Sequence, residues 1–222
     1  MSKIYIFGEG PNDIGRRQWS AQINDFETSE GWLQPIVRRL RKDPGEETGL
    51  RMRELVSLPR RGPRPLNGLA LKAQIAKLRA ASEGCAAVIL APDCDSVDPK
   101  EHARRVADID AGFAAMDADV EGIACVPMGT SEAWLLVDGH SWHALGATDL
   151  GRLPRRPEET WGRPHDPESG HPKQVFAKVC EDNDISESSD TRASLAEMCD
   201  LAELEKRLPV SFPDFARRVS SL

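Results

Sequence analysis

The chain has 222 residues, with 29 Lys and Arg against 36 Asp and Glu, a formal net charge of −7, and a composition that is 40% hydrophobic and 29% charged. That length buries one sizeable core, no apolar run reaches the ~20 residues a membrane helix needs, and the negative net field argues against a protein that merely coats nucleic acid. The five cysteines show no CxxC spacing, so neither a disulfide framework nor a structural zinc site is indicated, and they read as reduced, mostly buried thiols.

In chain order, Met-Ser-Lys leads directly into a short strand without the apolar stretch of a signal peptide, so a cytoplasmic address is expected. Lys3 to Phe7 is that first strand. Trp32 to Arg41 carries Leu33, Ile36, Val37 and Leu40 at helical spacing, and Arg53 to Leu58 reads as a second strand ended by Pro59. Asn67 can cap a helix through Leu71, Ile75 and Leu78 that stops at Gly84. Ala86 to Ala91, an apolar run between Gly84 and Pro92, fits a central strand covered on both faces. Asp98-Pro99-Lys100-Glu101 is a helix start with its capping carboxylate and first-turn proline, and the helix is expected to run to about Met116.

Gly122 to Val126 is a fourth strand, and Ser131 to Asp138 a short buried helix entered through a Gly129-Thr130-Ser131 cap. Residues 139–170 are rich in Pro, Gly, Arg and His and read as an irregular insertion. Val175 to Cys180, Leu195 to Leu208 and Phe215 to Val219 are helical, separated by the polar run Glu181 to Asp190. The expected organisation is an α/β core over 1–138 with a mainly parallel central sheet, the insertion over 139–170, and a helical extension over 171–222 packed on the core.

Two of these strands end in acids. Lys3 to Phe7 runs into Gly8-Glu9-Gly10-Pro11-Asn12-Asp13, and Ala86 to Ala91 runs into Pro92-Asp93-Cys94-Asp95. In a parallel sheet the carboxyl ends of the strands share one edge, so these side chains can converge across some eighty residues of sequence. Mg²⁺ is satisfied by one or two carboxylates plus water and substrate phosphate. If the strand direction continues through Pro92, the spacing of Asp93 and Asp95 directs both towards one ion. Asp13 can support the metal or cap the next helix, and Glu132 can serve as a further ligand or gain only from the helix dipole. Lys173 can offset charge on a transferring phosphate or lie solvated at a helix start. Arg60, Arg61 and Arg64 form a basic stretch suited to phosphate oxygens, and Arg152, Arg155, Arg156 and Arg163 a second, though either can be an ordinary solvated surface. His140 and His143, three apart, have no third ligand nearby, and Tyr5, the only tyrosine, lies inside a strand.

The order of these motifs resembles the Toprim fold, with Glu9 matching the family's glutamate after the first strand and Asp93 and Asp95 its Asp-x-Asp pair. Glu9-Gly-Pro-Asn-Asp13 is similar to the overcoming-lysogenization-defect nuclease branch and its small bacterial relatives. Glu132-Ala-Trp-Leu-Leu-Val-Asp138 and Ser211-Phe-Pro-Asp-Phe215 look like two further stretches of those relatives, whereas 139–170 matches no family motif. The resemblance implies a Mg²⁺- or Mn²⁺-dependent nuclease acting on DNA or RNA, with Glu9, Asp93 and Asp95 catalytic: Asp93 and Asp95 hold the metal, Glu9 is a further ligand or the base, and Asp13 and Glu132 support a second metal or orient the first. Arg60, Arg61 and Arg64, from their charge, and Lys173, from its place at a helix start, are the residues expected to hold substrate. The resemblance also implies a separate ATPase subunit that gates a phage-defence effector. A Walker-type Gly-Lys-Ser/Thr loop is absent, so the chain itself is not expected to be an ATPase. A non-catalytic Toprim-like binding or regulatory module and a metal-dependent phosphohydrolase acting on a small nucleotide remain alternatives.

Overall fold

A computed structural model of the chain describes residues 2–20, 25–42, 45–55 and 68–222. Its centre is a parallel sheet of β1 (Lys3–Gly8), β4 (Glu46–Arg51), β5 (Ala87–Ala91) and β6 (Glu121–Ala124) in the order β4-β1-β5-β6. Between β1 and β4 the chain forms α1 (Pro11–Ile14), an antiparallel hairpin of β2 (Arg16–Ser20) and β3 (Asp25–Ser29), and α2 (Leu33–Leu40). Helix α3 (Gly68–Ser82) precedes β5, and α4 (Pro99–Ala114) connects β5 to β6. The remainder is helical: α5 (Glu132–Leu135), α6 (Gly139–Ala144), α7 (Pro172–Asp182), α8 (Ser189–Met198), α9 (Leu201–Arg207) and α10 (Pro213–Ser220).

Alternation along the strands sorts the two helical layers. Ile4, Ile6, Ala87 and Ile89 face α2 and the C-terminal helices, sharing one apolar cluster with Trp134, Trp142, Phe176, Phe212 and Phe215. Tyr5, Phe7, Val88 and Leu90 face α3 and α4, with Ala73, Ala76, Ile109 and Phe113. All five residues of β5 are buried, as its unbroken apolar run requires. The result is the α/β class expected from the sequence. Among the described residues no helix is long and apolar enough to cross a membrane.

Several local expectations are corrected. The strand expected over Arg53 to Leu58 is not there in its described part: Met52–Glu54 is a 3₁₀ turn, residues 56–58 lie outside the described residues, and the strand comes earlier, at β4. β4 is a polar sheet edge, so it lacks the apolar run that marks the inner strands. Residues 139–170 are less irregular than expected, because they contain α6, whose Trp142 is fully buried and donates from Nε1 to the Leu135 carbonyl at 2.9 Å. The helix expected over Leu195 to Leu208 is two helices. The chain leaves α8 at Cys199, and Asp200 caps α9 by accepting the Ala202 N–H at 2.8 Å. Ser131 is itself helical and makes no side-chain cap. The Asp98 cap forms as expected, accepting the Lys100 N–H at 2.9 Å.

The chain order sets where a site can lie. From β1 the chain crosses to β4 on one side, and from β5 it crosses to β6 on the other, so the connections diverge at the carboxyl ends of β1 and β5 and leave a crevice between them. Gly8 pairs in register with Ala91, so both strands end level and release Glu9 and Pro92 side by side.

The β1–α1 corner is braced from β4. Gly49 lies so close to α1 that an added Cβ would stand 2.2 Å from the Ile14 carbonyl oxygen. That same oxygen accepts the Gln34 side-chain amide at 2.9 Å. Gly49→Ala is expected to destabilise the protein by about 1–3 kcal/mol through overpacking, read as a lowered urea midpoint with an unchanged slope.

Candidate metal centre

Glu9, Gly10, Asn12, Asp13, Asp93, Ser131, Glu132, Lys173, Glu187 and Arg192 line a cavity of about 380 Å³ at this crevice. Five carboxylates therefore face two cations. Four of the five acids named from sequence stand here, at the end of β1, in α1, after β5 and at the start of α5, and Lys173 reaches in from the first turn of α7.

Asp13 makes the turn after β1. Its Oδ2 accepts the Glu9 and Gly10 N–H groups at 3.1 and 3.0 Å, and its Oδ1 accepts the Trp32 indole at 2.9 Å and the Ser131 hydroxyl at 3.4 Å. Burial pushes its carboxyl up despite these donors, and Glu132 adds to the shift. Asp93 accepts the Ser131 N–H at 2.8 Å and lies 3.7 Å from the Lys173 ammonium. Its carboxyl is pushed well above the ordinary range, first by burial and then by Asp13 and Glu132, with Lys173 opposing. Glu9 stands at the mouth, raised by partial burial and then by Asp95 and Asp13. Burial alone would lower Lys173, but Asp93, Glu132, Asp95 and Glu9 outweigh it and hold the ammonium above its usual value.

Glu132 is 5% exposed, and its Oε1 lies 3.3 Å from the Arg192 guanidinium, which also reaches Glu187 at 2.9 Å and lies 4.4 Å from the Phe176 ring. Glu132 Oε2 and Arg192 Nε are buried with no hydrogen-bond partner. A buried carboxylate oxygen without a donor is costly unless a ligand meets it.

Asp95 differs from expectation. The strand ends at Ala91, and Asp95 has φ of +51°, so two-residue alternation no longer governs the pair. Its side chain is 61% exposed, against 13% for Asp93, and lies 3.9 Å from Arg105. It stands at the rim, where its charge still reaches Glu9 and Lys173. Arg60, Arg61 and Arg64 lie outside the described residues. His143 is spent on the Ala147 carbonyl at 2.7 Å, and the Tyr5 hydroxyl is bonded to Glu83, so neither belongs to the cleft.

The residues fit a hard cation by donor chemistry: several carboxylate oxygens, one of them buried and unpartnered, beside a lysine. Among the described residues no three His, Cys, Asp or Glu side chains form a metal-binding group. Arg192, Ser131, Trp32 and Asn12 were not singled out by sequence. Arg192 had a readable signal: with Leu195, Ala196 and Cys199 it falls at i, i+3, i+4 and i+7, a charge on an apolar stripe that demands a buried partner. Ser131 had none, because its role is set by where its backbone N–H and hydroxyl stand relative to Asp93 and Asp13. Compared with protein-family models, curated proteins and solved structures, the chain gives no match.

The raised carboxyls have a stability consequence. Asp93, Asp13 and Glu9 hold protons in the folded chain at pH values where the unfolded chain has released them, so stability falls as pH rises from the ordinary carboxylate range through the raised values. In chelator, Asp93→Asn is expected to raise Tm at pH 8 and flatten the decline between pH 4 and 8, as followed by thermal melts across about that range.

Proposed function

We propose that the chain is a metal-dependent nuclease of Toprim-like type, hydrolysing nucleic-acid phosphodiester bonds at the crevice between β1 and β5. The observation that carries this reading is the buried, unpartnered Glu132 Oε2 in a cavity shared with Asp93, Glu9, Asp13 and Lys173. The parallel-sheet switch point supports it, because it is where an open α/β sheet takes its ligand.

Asp93 and Glu132 are the oxygen donors for Mg²⁺ or Mn²⁺, with Asp95 at the rim and Glu9 at the mouth. Such an ion supplies Lewis-acid polarisation of the phosphoryl oxygens. Glu9, raised above the ordinary carboxylate range, is suited to take the proton from the water that attacks phosphorus as the P–O ester bond breaks. Lys173, held protonated by four acids, offsets charge on the non-bridging oxygens. Asp13 has both oxygens engaged and acts by holding the Glu9 turn. Arg60, Arg61 and Arg64 keep their role as strand contacts from sequence alone. The resemblance adds a cytoplasmic phage-defence role and a separate ATPase subunit as gate. The missing Walker-type loop fits that division of labour.

Wild type, Asp93→Ala and Glu9→Gln are to be incubated with plasmid DNA, single-stranded DNA and RNA in Mg²⁺, Mn²⁺ or chelator. Metal-dependent cleavage by wild type is expected, abolished in Asp93→Ala with an unchanged circular-dichroism spectrum and slowed by about 10²–10⁴-fold in Glu9→Gln. Cleavage retained by Asp93→Ala removes the assignment. Release of phosphate from nucleotides, with polymers untouched, moves it to a small-nucleotide phosphohydrolase. No cleavage with intact Mn²⁺ binding moves it to a regulatory module.

A further inference from the structure

Trp161 is 39% exposed, whereas Trp32, Trp134 and Trp142 are no more than 1% exposed. A lone surface tryptophan is ordinary, but what supports this one is not. Its ring centroid lies 4.9 Å from that of His171, tilted by 48°, and a Cβ added to Gly129 would meet it at 3.5 Å. The Gly129 carbonyl accepts the Asp95 N–H at 2.8 Å, and His171 Nδ1 accepts the Lys173 N–H at 3.3 Å. The ring therefore rests on the two segments that carry the rim acid and the cation of the cleft.

The flanking chain supplies free positive charge. Arg152 pairs with Asp182 and Arg156 with Glu159. Exposed Arg155 and Arg163 have no ion-pair or side-chain hydrogen-bond partner among the described residues. Along the chain Trp161 follows Arg155 by six residues and precedes Arg163 by two, and an exposed aromatic ring with arginines in the same segment is the combination that single-stranded nucleic acid uses, a base on the ring and phosphates on the arginines.

We propose that Trp161 is a stacking platform for one unstacked base of a single-stranded nucleic acid, with Arg155 and Arg163 on its backbone phosphates and the strand leading into the cleft. In a duplex each base face is already covered by its neighbours, so the site selects single strands and frayed ends. The direction of the strand into the cleft rests on the nuclease reading; the stacking contact does not.

The test is anisotropy of a short fluorescein-labelled oligothymidylate with the Asp93→Asn chain in chelator, so that binding is read without cleavage. Adding Trp161→Ala is expected to weaken binding by about 5–150-fold, the equivalent of one stacked base, with Trp161→Phe in between. Abasic sites in the oligonucleotide should weaken binding to the Trp161 chain and leave the Trp161→Ala chain unchanged. Equal binding by Trp161→Ala and its parent, equal abasic losses in both, or no binding by the parent overturns the proposal. Thermal melts of Trp161→Ala and Trp161→Phe separate a lost contact from a lost fold. Trp161-dependent binding without metal-dependent cleavage by wild type removes the nuclease and keeps the platform, and cleavage of single strands indifferent to Trp161 does the reverse.

Discussion

Asp13 joins three stretches of chain that sequence keeps apart. One carboxyl group accepts the N–H groups of Glu9 and Gly10, the indole at the start of α2, and the Ser131 hydroxyl ahead of α5. Ser131 then gives its own N–H to Asp93, so the turn after β1, the loop after β5 and the segment after β6 are held as one edge. Without that carboxyl the Glu9 and Gly10 N–H groups lose their acceptor, and the turn that carries Glu9 keeps only its backbone bonds, such as Asp13 N–H to the Gly10 carbonyl at 3.2 Å. The cleft is thus organised by a residue whose oxygens are already spent.

The arrangement works against the stability of the fold. Burial and mutual repulsion raise Asp13, Asp93 and Glu9 together, and Glu132 is held by one arginine that it shares with Glu187. Carboxyls shifted in this way and grouped in one crevice are enriched at functional sites, though structural ion-pair networks also shift them. The cysteines show the contrasting case. All five are buried and free, and burial pushes Cys94 and Cys180 up to about 11, which leaves them unreactive filling.

The elements legible in the sequence are those whose burial is one-sided or complete. Ala87–Ala91 reads as an inner strand because both faces are covered, and α2 reads as a helix because Leu33, Ile36 and Val37 make its inward stripe. β4 and the hairpin β2-β3 are polar and carry no such period. α6 was hidden by the glycine, histidines and prolines around it, although Trp142 is what anchors it. In the site, Glu9 and Asp93 were legible because acids follow apolar strands directly. The place of Asp95 was not, since the left-handed backbone there is a property of the loop and not of the Asp-x-Asp spacing. Nor could spacing reveal that Ser131 bridges Asp13 and Asp93.

Calorimetric titration of wild type and Glu132→Gln with Mn²⁺ measures whether the cleft binds a divalent cation with Glu132 as a donor, as proposed. One saturable binding event is expected for wild type, weakened or lost in Glu132→Gln while its circular-dichroism spectrum shows the fold retained. No saturable binding by wild type, or equal affinity in the two proteins, would contradict that proposal.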